Sequence, residues 1–97
     1  MTRDDVIQIL KRERARLSSQ YGVETLLLFG SVARDEANAA SDIDLLVAFN
    51  RPAGYFGLFS LQGELERLLG CSVDLGTVDS IKPRIRERVM AESIRVA

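Results

Sequence analysis

Histidine does not occur in the 97 residues, and cysteine occurs once, at Cys71. The first absence removes Ser-His-Asp and Cys-His catalysis within the chain, the histidine general base and histidine-ligated zinc. The second removes thiolate metal sites and an internal disulfide, and fits a reducing, cytoplasmic setting. No apolar run approaches the ~20 residues that cross a bilayer, so no membrane partner is expected. The opening "MTRDDVIQ" is too acidic and too polar for a signal peptide. Neither sign of charge is in excess: the formal net charge is -1, so no direct nucleic-acid contact is expected. Repeats, low-complexity tracts and inter-domain linkers are also lacking. The chemistry left to such a chain uses carboxylates, hydroxyls, Lys and Arg, backbone amides, or hard metal ions held by oxygen.

Apolar residues make up 46% of the chain and charged residues 28%, a globular balance. The length fits one domain over residues 1–97, small enough that a partner or a homo-oligomer would add stability. Thr2 and Asp5 form a capping box ahead of Val6, Leu10 and Leu17, predicting a helix over 3–20 ended by Gly22. "VETLLLF" at 23–29 and "IDLLVAF" at 43–49 predict two strands. "SVARDEANAA" predicts a short helix with Ser31 at its N-cap. Leu58, Leu61, Leu65 and Leu68 trace a helical stripe over 55–69. "SVDLGTV", 72–78, predicts a third strand, and Ser80 is expected to cap a last helix carrying Ile81, Ile85 and Val89, with Pro83 in its first turn. The order predicts an α/β (α+β) unit with helices packed on a mixed sheet of three strands or slightly more.

Two acids stand at the mouth of the second strand. Side chains two apart share a face, so Asp42 and Asp44 project together and repel when both are ionised. Solvent, a shared proton or a cation can offset that repulsion, and Mg²⁺ bound to one or two carboxylates, waters and phosphates is one such cation. "FGS" at 29–31 ends the first strand at a helix start, where Gly30 allows close backbone approach and the free amides suit a phosphate. Asp74 stands near the start of the third strand as Asp44 does on the second. If strands one and two are antiparallel and strands two and three parallel, one sheet edge gathers Gly30, Ser31, Asp42, Asp44 and Asp74, provided the registers agree.

"GSVARDEANAASDIDLLV", with Asp74 in "VDL", resembles the signature of the polymerase-beta-like nucleotidyltransferase superfamily, and the whole chain resembles its minimal members. That resemblance implies a small nucleotidyltransferase fold. It also implies that Gly30 and Ser31 hold the phosphates of a nucleoside triphosphate, most simply ATP. Asp42 and Asp44 would bind Mg²⁺, usually two ions, with Asp74 joining them and helping to activate the attacking hydroxyl. Minimal members are commonly the antitoxin of a pair, of the type VII kind, with a helical HEPN ribonuclease toxin, and silence it by moving AMP onto a tyrosine. The chain departs from the pattern at Asp35, where a small residue is usual. Arg34, one turn into the helix, can touch phosphate or pair with Asp35 or Asp42. Two other roles stay open: an antitoxin that neutralises by binding alone, and nucleotidyl transfer to a small molecule.

The remaining residues have blander readings. Tyr55, Phe56 and Phe59 are expected in the core or at the helix entry, and become partner contacts if exposed. "KPRIRER", 82–88, reads as an exposed amphipathic helix that can approach ATP, RNA or an acidic surface. Cys71 reads as a small buried residue.

Overall fold

A computed structural model of the chain describes residues 2–33 and 42–96. The predicted capping box opens helix α1 (Arg3–Arg12): Asp5 N–H donates to Thr2 Oγ1 at 3.2 Å and Thr2 N–H to Asp5 Oδ2 at 3.0 Å. These bonds to its ionised form hold the Asp5 carboxyl below its ordinary range. The helix expected over 3–20 is broken at Glu13, and a second helix, α2, covers Arg14–Tyr21. Glu13 adopts φ −92° and ψ 4°, yet its N–H still reaches Ile9 O at 3.2 Å and its carbonyl accepts from Leu17 at 2.9 Å. The chain bends here while Glu13 keeps both of its own backbone bonds. Gly22, in the left-handed region, ends α2 as expected.

Strand β1 (Val23–Phe29) leads into a four-residue helix, α3 (Gly30–Ala33). Strand β2 (Ile43–Phe49) follows, then helix α4 (Gly54–Leu69) and strand β3 (Val73–Thr77). The sheet order is β3-β2-β1-β4. β1 and β2 are antiparallel, and β2 and β3 parallel, joined by the α4 crossover. Both orientations are those the sequence required for its acids to meet.

The fourth strand, β4 (Ile94–Arg95), has only two residues and no counterpart in the sequence reading. It pairs antiparallel with Leu27 and Leu28, and Val96 N–H continues the ladder to Leu26 O at 2.9 Å. The expected cap at Ser80 is also corrected. Val78–Ser80 is a 3₁₀ turn in which the Ser80 hydroxyl donates back to Thr77 O at 2.8 Å. Helix α5 (Pro83–Glu92) starts three residues later, with Lys82 at its N-cap and Pro83 at the position that needs no N–H.

One face of the sheet carries the main core. Leu26, Leu28, Leu45 and Val47 point into it and meet Leu61 and Leu65 of α4 and Val6, Leu10 and Leu17 of the first two helices. All are fully buried, at about 1.5–3 kcal/mol for each side chain removed from water. Glu64 joins α4 to α2 at the rim of this core. It accepts from Arg67 Nη2 at 3.0 Å and pairs with Arg16, which also reaches Glu13 Oε1 at 3.1 Å. The Arg67 hydrogen bond, helped by Arg16 and opposed by burial, holds the Glu64 carboxyl down to about 2.

The three aromatics depart from expectation. Tyr55, Phe56 and Phe59 are 81%, 90% and 65% exposed. The inward line of α4 is Leu61, Leu65 and Leu69, and its helical phase turns these rings away from the sheet. Cys71 is half-buried, and that burial raises its thiol pKa. Among the described residues, no helix is long and apolar enough to cross a membrane.

Candidate active site

Residue parity along β2 separates two functions. Ile43, Leu45 and Val47 enter the core, so Asp44 and Leu46 point to the opposite face. On that face the registers agree. Asp44 lies across from Phe29 on β1 and across from Asp74 on β3. Paired neighbours point to the same side of a sheet, and the buried Leu45–Leu75 pair, one residue along, confirms the phase. Asp42 stands exposed just before β2, where Ile43 N–H donates to Ser72 O at 3.1 Å and ties the mouths of β2 and β3 together.

Gly30 completes the arrangement. Its φ is +76°, a conformation few side-chain-bearing residues adopt. A Cβ built on it would lie 2.2 Å from Asp44 Oδ2. Backbone and carboxylate therefore approach one another more closely than any other residue type would allow. Ser31 follows within α3; Arg34 and Asp35 lie outside the described residues.

Asp42, Asp44, Asp74 and Gly30 thus share one end of the sheet, with Asp42 and Asp74 exposed and Asp44 half-buried. Among the described residues no three acidic, cysteine or histidine side chains close on one point. An all-oxygen donor set, open to water and beside a cradle that a Cβ would fill, fits Mg²⁺.

The same face holds residues that the sequence reading noted but did not place at the site. A cleft of about 370 Å³ starts one pleat along from Asp44, between Phe29 and Leu46 of the sheet and Ile81, Ile85 and Val89 of the α5 segment. Ser80, Lys82 and Arg84 form its polar rim. The basic character of 82–88 was visible in the sequence, but its position over the acid-bearing face depended on β3 and the 3₁₀ turn. A larger concavity of about 540 Å³ lies at the other end of β2, lined by Glu24, Arg51 and Asp79 among others. It contains none of the paired acids, and chemistry decides against it.

A mixed sheet with a Gly-Ser turn after its first strand and acids on two parallel neighbours defines a nucleotidyltransferase. The model of the nucleotidyltransferase domain family matches residues 7–96, and the chain belongs to that family. A Methanocaldococcus jannaschii chain, provisionally named protein adenylyltransferase MJ0435, is 38% identical over 90 residues, covering 93% of this chain and 97% of that one. Protein adenylyltransferase MntA of Thermococcus cleftensis is 34% identical over 96 residues, covering 99% and 97%. A solved structure described as a minimal nucleotidyltransferase superposes with a TM-score of 0.82 at 36% identity, covering 97% of this chain and 95% of that one. The MNT antitoxin in complex with a tri-AMPylated HEPN toxin from Shewanella oneidensis shares the fold, with a TM-score of 0.65, 19% identity and coverage of 94% and 71%. The protein is a nucleotidyltransferase.

Proposed function

We propose that the chain is a single catalytic domain acting as the antitoxin of a toxin–antitoxin pair, transferring AMP from ATP to a tyrosine hydroxyl of a HEPN-type ribonuclease toxin. The observation that carries this reading is the register that sets Asp44 beside Asp74, with Gly30 packed against Asp44. Names of curated relatives and the toxin complex of a structural neighbour support the acceptor class.

In this reading Asp42, Asp44 and Asp74 hold Mg²⁺, which when bound neutralises the charge of the triphosphate and orients it. Gly30 and Ser31 present backbone amides to the phosphates, and Arg34 is assigned to the same phosphates from its place in the sequence. The acceptor oxygen attacks the α-phosphorus in line, the bond to the bridging oxygen breaks and pyrophosphate leaves. Asp74, exposed at the edge, takes the proton of the attacking hydroxyl. The cleft under α5 seats the nucleoside, with Lys82 and Arg84 facing its phosphates. Positioning and charge stabilisation supply most of the acceleration in such transfers, so the lack of histidine is no obstacle.

The test mixes the purified chain with α-labelled ATP, Mg²⁺ and the product of a neighbouring HEPN gene. Label on a toxin tyrosine, lost in Asp44→Asn while the circular dichroism spectrum is kept, is the expected result. A tight complex with no label would leave a binder and refute the transfer. Label on a small molecule only would refute the protein acceptor.

A further inference from the structure

The outer side of α4 carries no charge over residues 52–63, "PAGYFGLFSLQG". Phe56, Phe59, Ser60 and Gly63 fall at helical spacing along that exposed side, with Tyr55 on its flank. The two phenylalanines stand out from the surface, and the two small residues form hollows beside them. Nothing inside the molecule explains Gly63. A Cβ built there meets no heavy atom within 4 Å, and a mid-helix glycine costs stability relative to other residues.

We infer that this face docks a second copy of the same chain, with the two α4 helices packed antiparallel about a two-fold axis that passes between Phe59 and Ser60. The spacing is self-complementary. Under that axis Phe56 meets the second copy's glycine at position 63, and Phe59 meets its serine at position 60, so each ring enters a hollow. Both pairs share one midpoint, as an isologous contact requires. A parallel pairing would set ring against ring and hollow against hollow.

The area suffices for a modest dimer. At roughly 150–250 Å² per aromatic side chain, Tyr55, Phe56 and Phe59 leave about 450 Å² bare on each copy. Two copies would cover about 900 Å² with these rings alone, and the flanks of two 16-residue helices add the remainder of the ~1,200 Å² that a stable contact needs. Catalysis is not obstructed. α4 packs on the core face and its outer side points away from the sheet, whereas Asp44 is on the opposite face. The inference does not depend on the acceptor or the nucleotide.

Sedimentation equilibrium of the full chain from micromolar to millimolar concentration tests it. The mass should rise from 10.8 kDa toward twice that value. Gly63→Glu should hold the chain monomeric while raising the melting temperature of the monomer by about 3–6 °C, because a better helix former replaces glycine in open space. The double variant Phe56→Arg/Gly63→Glu should recover dimer relative to either single change, because each new arginine would face the second copy's new glutamate. A wild-type chain monomeric throughout, an undisturbed Gly63→Glu dimer, or no recovery in the double variant would each overturn the proposal. A wild type that stays monomeric but loses capture of a HEPN toxin on Phe56→Ser would assign the face to that protein and overturn it too.

Discussion

Replacing Gly30 by alanine tests the site and its local structure together. The φ of +76° costs a residue with a Cβ about 1–2 kcal/mol. The new methyl would start 2.2 Å from Asp44 Oδ2, where ordinary contact begins near 3.4 Å. Backbone or carboxylate must therefore yield by about 1 Å, and a displacement of that size at a reacting centre costs about 100-fold in rate. Folding should lose about 2 kcal/mol in total, which lowers the melting temperature by roughly 8–16 °C in a domain of this size. Differential scanning fluorimetry reads the first effect. Single-turnover AMP transfer, at a temperature where the variant is fully folded, reads the second. A Gly30→Ala protein with unchanged melting temperature and full activity would show that the close approach of Gly30 to Asp44 is not what the site uses.

Other variants separate stability from chemistry. Glu64→Gln removes the charge that Arg67 and Arg16 share at the edge of the core, and should cost about 2 kcal/mol, with Arg67 discounted for its exposure. Because the Glu64 pKa is lowered from 4.5 to about 2, its contribution is complete above pH 4.5 and fades as the pH falls toward 2. Denaturation curves of wild type and Glu64→Gln should therefore converge over that interval, and a gap persisting at pH 2 would contradict the assignment. Lys82→Glu and Arg84→Glu, on exposed positions at the cleft rim, should raise KM for the nucleotide at least tenfold with little change in melting temperature; an unchanged KM would move the nucleoside out of the α5 cleft.

Much of the fold was legible because local signals agreed with tertiary demand. The runs at 23–29 and 43–49 are apolar and β-rich, and both strands occupy those spans. The acid pair could be placed on one face from its spacing alone. Whether Asp74 joined it depended on register, a property of two strands together, and the structure pairs it with Asp44. The bend at Glu13 carries no glycine or proline, so no local signal marks it. Ile94 and Arg95 form a strand only because β1 offers an edge, and a two-residue element leaves no periodicity to read. The outward rings of α4 were legible in part. Their type argued for the core, but their phase against Leu61, Leu65 and Leu69 placed them outside. The basic residues over the acid face were seen in sequence, and only the 3₁₀ turn at Val78–Ser80 shows where they go.

The short β4 strand has a consequence for anyone handling the molecule. Among the described residues it is the strand that covers the outer edge of β1, where Leu26, Leu27 and Leu28 stand in sequence. Trimming the chain after Glu92, or pulling residues 94–96 away with a badly joined tag, would leave Leu26 and Leu28 offering unpaired N–H and C=O groups to any extended peptide, while Leu27 stays bonded to β2. An open apolar edge of that kind templates strand addition and aggregation. Residues 94–96 thus act as a guard rail on the sheet, and a fusion placed at the other terminus leaves it in place.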